Sequence, residues 1–428
     1  MTARQAALDV LIRVMHKASY ANLCIKDTAP KLPDARERAM LSALVYGVLE
    51  KRLHLEYILK SLCNMKKLPH EVEEALYLGA YQMLFMESVP DSAAVSESVK
   101  LVRKKNARLS GLVNAVLRNL ARMQEPLKLP EDALTAHSLK FNLPVHLAKR
   151  HMDVFGVDAQ IPDLRRVGVR LRDASKKEAL LALFKEQNAE VEQLWDTCFC
   201  VRGGGDLVAS DLYKQGAFVI QSASSQLIAK AVGAKPGMRV LDTCAAPGGK
   251  SFAVADGMGE GAVLSLDLHD HRAKLIAREA KRLGILIVEA RQADATKLSA
   301  SLYESFDAVL VDAPCSGLSA QGKPEIPLRL TDADIDSLAD VQAKILREAA
   351  KCVKKGGVLV YSTCTWTKEE NENQVERFLR ENPEFSCGNL AAYLPEQFSQ
   401  YVTDDTMLRL DSVRDGMPSF FMARFVKK

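Results

Sequence analysis

One short stretch, residues 238–251, combines a strand pattern, a turn rich in proline and glycine, and the start of a helix pattern. Residues 238–241 predict the end of a buried strand, and the helix pattern begins near Ser251. A strand, a glycine-rich turn and a helix form the opening unit of nucleotide-type α/β folds. Gly248 and Gly249 carry no Cβ, so the backbone can approach a ligand closely. The helix N-terminus behind them favours a negative group such as a carboxylate, so the turn is predicted to bind a ligand.

Strand and helix patterns alternate through the whole C-terminal segment, 214–428. The predicted strands are seven in number and lie at 217–220, 238–241, 262–266, 285–289, 307–311, 357–361 and 419–426. Such alternation predicts a mostly parallel sheet with helices on both faces. Ligands of these sheets bind beyond the carboxyl ends of the strands.

The N-terminal segment, residues 1–127, predicts an all-helical domain. Apolar residues recur there at helical spacing, for example at Leu41, Leu44 and Val48, and prolines separate the helices. The hydrophobic share of 48% and the charged share of 26% are ordinary for a folded chain. We therefore expect a packed helical core.

The segment between these two, residues 128–213, is predicted to contain a linker and a small α+β module. Pro126 and Pro130 place the linker at 126–140. The predicted elements of the module are strands at 167–172 and 198–202 and a helix at 176–190.

The sequence shows no membrane or secretion signal. No apolar run is long enough to span a bilayer. Arg4, Asp9 and Arg13 interrupt the first apolar pattern, which argues against a secretory segment. A cytoplasmic location without membrane association is the expectation.

The nine cysteines favour free thiols in a reducing compartment, because their number is odd and the chain is long. Cys198 and Cys200 have no second cysteine pair nearby. His269 and His271 have no cysteine partners in sequence. We therefore expect no metal site.

The turn fails to match two common nucleotide-binding motifs. Gly249-Lys250-Ser251 resembles the end of a P-loop, but that motif needs glycine at position 244, which is cysteine, and no G-x-G-x-x-G is present. A P-loop NTPase is therefore a distant alternative. The string Asp-x-Cys-Ala-Ala-Pro-Gly-Gly-Lys at 242–250 resembles the S-adenosylmethionine (SAM) loop of the NOL1/NOP2/Sun family of RNA cytosine-C5 methyltransferases. Its bacterial RsmB (Sun/Fmu) branch fits best.

Two stretches of the helical segment support that branch. Leu44–Leu49 and Gly111–Asn119 resemble the signatures of the NusB-like RNA-binding domain, which RsmB proteins carry ahead of the methyltransferase domain. The resemblance implies a Rossmann-like SAM methyltransferase domain with a seven-stranded mixed sheet. Phe420–Val426 is similar to the last, antiparallel strand of that sheet.

The helical segment is also the basic part of the chain. Residues 1–125 hold 19 Lys/Arg and 13 Asp/Glu, about +6 within a chain of net charge +4. RNA is the expected partner, and no obligate protein partner is evident. The resemblance also implies that the small α+β module at 128–213 binds RNA. The candidates for contacting RNA phosphates, with a solvated surface as the alternative, are Arg103, Lys104, Lys105 and Arg108.

SAM is the cofactor that the resemblance implies. Asp267 ends a strand about 20 residues after the turn, where an acidic residue binds ribose hydroxyls or caps a helix. The resemblance, together with Arg272, favours the ribose, and it places Asp294 near the adenine amine. The residues assigned to the cofactor are Cys244, Ala245, Ala246, Pro247, Gly248, Gly249, Lys250, Asp267, Arg272, Asp294 and Asp312.

Two cysteines at predicted strand ends indicate the chemistry. Cys315 follows the strand that leads to Asp312, and Cys364 follows another; both strands are predicted to neighbour the cofactor strand. A lone buried cysteine is usually inert. Cytosine C5 is a poor nucleophile, however, and a thiolate added at C6 raises the electron density at C5. A carboxyl group such as Asp312 can stabilise the adduct at N3.

The resemblance assigns Cys364 as the nucleophile, Cys315 to product release, and Lys250 to the junction of cofactor and base. The implied reaction is SAM-dependent methylation of cytosine C5 in 16S rRNA through a covalent bond between Cys364 and C6. A tRNA cytosine-C5 methyltransferase and a non-catalytic RNA-binding assembly factor are the alternatives. The chain departs from the family at 320–325, where Lys323 is the single basic residue in place of a basic pair.

Overall fold

The computed structural model describes residues 1–123, 130–159, 166–203, 205–320, 322–411 and 417–428. These form two compact units, Met1–Ile161 with Ala320–Leu330, and Pro162–Ser319 with Thr331–Lys428. The helices are α1 (Ala3–His16), α2 (Ala21–Thr28), α3 (Ala35–Glu50), α4 (Arg52–Leu62), α5 (His70–Phe85), α6 (Asp91–Lys105), α7 (Ser110–Ala121), α8 (Ala133–Phe141), α9 (Val145–Phe155), α10 (Lys177–Glu186), α11 (Asp211–Lys214), α12 (Ala223–Val232), α13 (Gly249–Met258), α14 (Asp270–Arg282), α15 (Glu325–Arg329), α16 (Asp332–Cys352), α17 (Glu372–Glu381) and α18 (Glu396–Ser399). The strands are β1 (Val167–Leu171), β2 (Glu190–Trp195), β3 (Cys198–Arg202), β4 (Phe218–Ile220), β5 (Arg239–Asp242), β6 (Ala262–Asp267), β7 (Val288–Gln292), β8 (Phe306–Asp312), β9 (Val353–Thr363), β10 (Phe385–Cys387), β11 (Val402–Thr403), β12 (Met407–Leu410) and β13 (Phe420–Lys427).

The first unit is helical, as the apolar periodicity predicted. Leu41, Leu44 and Val48 lie on one side of α3 and are fully buried, because that face packs against the shared core of the unit. Local capping starts the helices. At α3 the carboxylate of Asp34 accepts a hydrogen bond from the amide of Glu37 at 2.8 Å.

Helices α8 and α9 also belong to the first unit. The linker predicted at 126–140 is therefore wrong where α8 lies, and the first four residues of that stretch are outside the described residues. The carboxylate of Asp132 accepts a hydrogen bond from the Thr135 amide at 2.7 Å. This N-cap starts a helix that a prediction based on prolines alone overlooks.

The second unit contains a nine-stranded mixed sheet of order β11-β12-β13-β9-β8-β5-β6-β7, with β10 paired to β13. Strands β5 to β9 run parallel to one another, and β13 is antiparallel to β9. Adjacent residues of β5, Val240 and Leu241, are both buried and belong to different apolar clusters. Since side chains alternate across a strand, helices cover both faces of the sheet, as predicted.

Three details of the predicted sheet need correction. Within the described residues the sheet has nine strands instead of seven. It gains the short strands β10, β11 and β12 at its antiparallel edge and loses one predicted strand to another sheet. The strand predicted at 217–220 is β4, which pairs with β1 in a separate sheet. The strand predicted at 285–289 begins three residues later, as β7, and Leu286 in the preceding apolar run is 95% exposed.

The small module is a second sheet of four antiparallel strands in the order β2-β3-β1-β4. The strands predicted at 167–172 and 198–202 are confirmed as β1 and β3. The helix predicted up to residue 190 ends at Glu186, and Asn188 takes a left-handed conformation with φ 52° that breaks the helical path. The next residues form β2 because they pair with β3, a long-range partner.

Among the described residues, no helix has both the length and the apolar character that crossing a bilayer requires.

Candidate active site

The strands bring the predicted site residues to one edge of the sheet. Asp242 ends β5 beside Leu310 of β8, and Asp312 ends β8 beside Ser362 of β9. Because the strands are parallel, these ends form a common edge where ligands bind. β8 neighbours the cofactor strand β5, as predicted. The same expectation for the strand before Cys364 is wrong, since β9 pairs with β8 and lies one strand further away.

The turn after β5 needs glycine at its centre. Gly248 has φ 107°, and a Cβ built there would lie 2.4 Å from the Phe252 ring, so a side chain fits neither the backbone nor the space. The Gly248 amide donates to the Ala245 carbonyl, and the Ala245 amide donates to the Leu266 carbonyl, each at 2.7 Å. These bonds fix the turn against β6. The α13 N-terminus that follows suits a ligand carboxylate.

Beneath the turn lies a buried carboxyl group for which the sequence analysis gave no role. Asp242 Oδ2 accepts a hydrogen bond from the Ser251 hydroxyl at 2.7 Å, and Ser251 in turn accepts one from Ser265 at 2.8 Å. Within the part of the chain that the structure describes, Asp242 Oδ1 has no side-chain hydrogen-bond partner. Burial raises the pKa of Asp242 to about 7. The position of Asp242 as the last residue of β5 could have indicated a site residue from the sequence.

The acidic residue after β6 is connected to the turn. Asp267 Oδ1 accepts a hydrogen bond from the His269 amide at 3.0 Å, and its Oδ2 lies 3.4 Å from Arg272 Nε. Arg272 Nη2 donates to the Ala246 carbonyl at 3.1 Å. The N-cap residue of α14 is His269, so Asp267 is not the cap that its sequence position allowed.

Asp294 follows β7, the next strand of the same edge. Its carboxylate accepts hydrogen bonds from the Thr296 hydroxyl at 2.6 Å and the Thr296 amide at 2.9 Å. These bonds lower the pKa of Asp294, so the group is ionised at neutral pH. The residues assigned to the cofactor thus lie after β5, β6 and β7 and include Asp312 after β8.

Two thiols meet at the ends of β8 and β9. Cys315 Sγ lies 3.1 Å from Cys364 Sγ, and the Cys364 amide donates to Cys315 Sγ at 3.3 Å. Cys364 is exposed, whereas Cys315 is half-buried. The hydrogen bond to Cys364, then burial, raise the pKa of Cys315 well above that of a free thiol. A protonated Cys315 that donates to Cys364 favours the thiolate at Cys364.

Lys250 and Asp312 form the charged part of the edge. Lys250 Nζ donates to Asp312 Oδ2 at 2.6 Å, and the Ser362 hydroxyl donates to Asp312 Oδ1 at 2.8 Å. Burial opposes the charge on Lys250, but the Asp312 carboxylate outweighs it and raises the pKa of Lys250. Cys364 contributes in the same direction, so the ammonium and a Cys364 thiolate stabilise each other. Ser362 lies two residues before Cys364, and no role was predicted for it.

A buried carboxylate supports the loops that carry both thiols. Glu370 Oε1 accepts hydrogen bonds from the Ser316 amide at 2.8 Å and from Gln342 Nε2 at 3.0 Å. Its Oε2 accepts one from the Thr367 hydroxyl at 2.7 Å. Ser316 follows Cys315 directly, so Glu370 positions the start of that loop. No sequence motif pointed to this residue.

The basic residues predicted to contact RNA have different surroundings in the structure. Arg103 lines a groove of about 500 Å³ between α6 and α7, together with Lys100, Arg118 and Arg122. Lys105 instead pairs with Asp9 at 2.6 Å. The remaining predicted members, Lys104 and Arg108, are exposed. Asp91 also lines the groove, and Lys100 pairs with Glu97 at 2.7 Å, so positive charge in the groove is partly compensated.

Elsewhere in the described residues, His16, His70 and Glu73 could offer three ligand atoms to a metal ion. The two imidazole rings stack with centroids 3.7 Å apart and planes inclined by 27°. Ring nitrogens bind metals in the plane of the ring, so nearly parallel planes converge poorly on one ion. His16 Nε2 also contacts Glu74 at 2.9 Å.

A parallel sheet flanked by an antiparallel last strand, with a glycine turn after β5 and a carboxylate after β6, defines a SAM-dependent methyltransferase. Residues 229–426 match the family described as 16S rRNA methyltransferase RsmB/F, and residues 1–122 match the NusB family. The chain belongs to the RsmB/F methyltransferase family, and a NusB-like domain precedes its methyltransferase domain. Its cofactor is SAM.

Individual relatives agree with this assignment. The chain is 35% identical to the probable ribosomal RNA small subunit methyltransferase B of Bacillus subtilis over 447 residues, covering 100% of this chain and 99% of that protein. The structure superposes on the crystal structure of PH0851 with a TM-score of 0.82 at 22% sequence identity, and the match covers 100% of this chain and 99% of the PH0851 chain. NSun6 from Pyrococcus horikoshii, solved with the SAM analogue SFG, has a TM-score of 0.53 at 18% identity over 70% of this chain and 98% of its own. These two structures support the fold.

Proposed function

We propose that the protein methylates C5 of a cytosine in 16S rRNA, with Cys364 as nucleophile and a covalent bond to C6 as intermediate. The observation that carries the proposal is the thiol pair, 3.1 Å apart, at the sheet edge that also holds Lys250 and Asp312. A protein that only bound RNA would need neither a second thiol nor a nearby ammonium. SAM, when bound, would supply the methyl group to C5 and leave as the demethylated thioether, whose sulfur keeps the electrons of the broken S–CH3 bond.

The residues present fit the cofactor. The turn carries no side chain at Gly248 and Gly249, and the α13 N-terminus behind it suits a carboxylate. Asp267 at the end of β6 is an acceptor for hydroxyl groups. The second oxygen of Asp242 is a buried acceptor without a side-chain partner among the described residues. Together these groups match a ligand that carries a carboxylate, hydroxyls and an amine.

The first chemical step is the addition of the Cys364 thiolate to C6. Its sulfur forms the S–C6 bond, and the π electrons of C5–C6 move toward C5 and N3. Asp312 lies beside this site and accepts a hydrogen bond from a cytosine ring protonated at N3, so that the electrons moving toward N3 neutralise the positive charge of that ring. Lys250 holds Asp312 in place and favours the thiolate before attack. C5 then takes the methyl group.

The second step removes the proton from C5 and breaks the S–C6 bond. Before addition, the hydrogen bond to Cys364 is the largest cause that raises the pKa of Cys315. Once Cys364 sulfur is bonded to C6, it carries no negative charge for Cys315 to stabilise. Cys315 then releases its proton to solvent more easily and, as a thiolate, accepts the C5 proton. The C5–H electrons re-form the C5–C6 double bond, and the bonding electrons of S–C6 return to Cys364 as a thiolate.

The groove between α6 and α7 is proposed to hold backbone phosphates of the rRNA. Lys100, Arg103, Arg118 and Arg122 line it, and phosphate contacts supply affinity without sequence specificity. The target cytosine must be unpaired or flipped to enter the catalytic edge, which suits a loop of structured RNA. We place the helical segment predicted at 1–127 at RNA binding and the segment predicted at 214–428 at catalysis. Of the segment predicted at 128–213, α8 and α9 belong to the first unit, and the small module that follows them supports the cofactor loop.

The test is transfer of tritiated methyl groups from SAM to deproteinised 16S rRNA and to bulk tRNA, with bisulfite sequencing to locate 5-methylcytosine. One protected cytosine in 16S rRNA is the expected result. Label in tRNA alone would overturn the substrate and keep the chemistry. SAM binding without label in either RNA would favour the assembly-factor alternative.

A further inference from the structure

The small module holds the helix that follows the cofactor turn. Arg170 Nη1 donates to Asp256 Oδ2 at 2.6 Å, and Arg172 donates to both oxygens of Asp256, at 2.7 and 2.8 Å. Asp256 lies in the last turns of α13, whereas the arginines lie on or directly after β1. Residues two apart in a strand point to the same face, so both guanidinium groups reach the same carboxylate.

Arg170 also reaches the other end of α13 through a buried amide. Arg170 Nε donates to Gln221 Oε1 at 2.6 Å, and Gln221 Nε2 donates to the Gly249 carbonyl at 2.9 Å. Arg170 and Gln221 are each 7% exposed. Gly249 is the second glycine of the cofactor turn, so one arginine is connected to both the start and the end of the helix.

Close packing keeps Gln221 in this position. The backbone amide of Gln221 donates to the Gly168 carbonyl at 2.8 Å. A Cβ at Gly168 would lie 2.4 Å from the Gln221 carbonyl oxygen. Gln226 Nε2 donates to that same oxygen at 3.0 Å. The backbone at Gln221 is thus held against β1. Because Arg170 donates to Oε1 of the Gln221 side chain, Nε2 is oriented to donate to the Gly249 carbonyl.

We propose that Gln221, oriented by Arg170, is a positioning residue that fixes the Gly249 peptide and so determines the affinity for SAM. The inference rests on the proposed cofactor site at this turn. A buried amide with both of its ends hydrogen-bonded has little freedom to rotate, so the Gly249 carbonyl and the amides of the first α13 turn keep one orientation. The module would therefore act on SAM without contacting it.

Gln221→Glu in the full-length protein isolates this link. The carboxylate still accepts from Arg170, but it has no proton to donate and it repels the Gly249 carbonyl. Loss of one net hydrogen bond predicts an increase of about tenfold in the Kd and KM for SAM. We expect kcat at saturating SAM and the KM for RNA to stay within about threefold, a split that general destabilisation would not produce. Calorimetry with SAM and methyl-transfer kinetics measure these quantities, and circular dichroism verifies folding.

Arg172→Met is the matched control, since it loses the contacts of Arg172 to Asp256 and to the Gly216 carbonyl and none to Gln221. SAM affinity in this variant should stay near that of the wild type. If Gln221→Glu leaves SAM affinity unchanged, or Arg172→Met weakens it equally, the inference is overturned. Should Gln221→Glu fail to fold, Gln221→Met serves with the same expected increase in Kd. A wild type that binds no SAM would refute the proposed cofactor site itself.

Discussion

Replacing Cys315 with alanine tests the division of labour between the two thiols. The change has two opposing consequences in the structure. Cys364 loses the hydrogen bond of a thiol 3.1 Å away, and the site loses its base for the C5 proton. A hydrogen bond to a charged group contributes about 1.5–3 kcal/mol, so formation of the adduct should slow by about 10- to 100-fold.

Release of the product should slow further. A positioned general base contributes about 10²- to 10⁴-fold to the rate of a proton transfer. Even an unperturbed thiol with a pKa near 8.5 is about 10% ionised at pH 7.5. The pKa of Cys315 before addition lies well above that of such a thiol. Alanine cannot take the proton at any pH. Because release loses more than addition does, the Cys315→Ala variant should accumulate a covalent protein–RNA adduct.

The assay is denaturing gel electrophoresis of the protein with SAM and end-labelled 16S rRNA fragments. We expect a band of reduced mobility for Cys315→Ala, approaching one RNA per protein, and none for Cys364→Ala or for the double variant. Cys387→Ala, which removes an exposed thiol from β10, is the control and should behave as the wild type. Free turnover of Cys315→Ala without an adduct, or an adduct in Cys364→Ala, would refute the assigned roles.

Three further outcomes are expected. Lys250→Met leaves Asp312 without its partner at 2.6 Å, so kcat should fall by about 100-fold or more while the protein stays folded; an unchanged kcat in single-turnover kinetics would contradict this role. Arg52→Met removes two hydrogen bonds, of 2.6 and 2.8 Å, to the fully buried Glu74, and should lower the free energy of unfolding of the first unit by about 3–5 kcal/mol in urea titrations. The exposed Arg13, in an ion pair at 3.6 Å, is the control, and Arg13→Met should cost less than about 1 kcal/mol. Burial opposes ionisation of Glu74, but Arg52 outweighs it and lowers the pKa of Glu74; this stability is therefore present above the ordinary carboxyl pKa of about 4.3 and lost as the pH falls below it, a loss that Arg52→Met should not show.

Predictions from sequence succeeded where a residue's role depends on its near neighbours in the chain. The turn at Gly248, the helical repeat of α3 and the placement of Asp267 at a strand end all follow from spacings of a few residues. They failed where distant partners decide the outcome. The segment after Glu186 becomes β2 because β3 pairs with it, and Phe218–Ile220 joins β1 instead of the catalytic sheet.

The amino-acid sequence by itself determined the order of elements in the catalytic segment and the chemical groups at its strand ends, since strand periodicity, glycine and thiols are properties of single residues and short windows. Tertiary structure decided which of those groups meet. Cys315 and Cys364 are 49 positions apart and lie in contact because β8 and β9 end together. The roles of Glu370 and Gln221 also arise only in the folded chain, because a buried polar group takes its function from the partners that packing brings within hydrogen-bond distance.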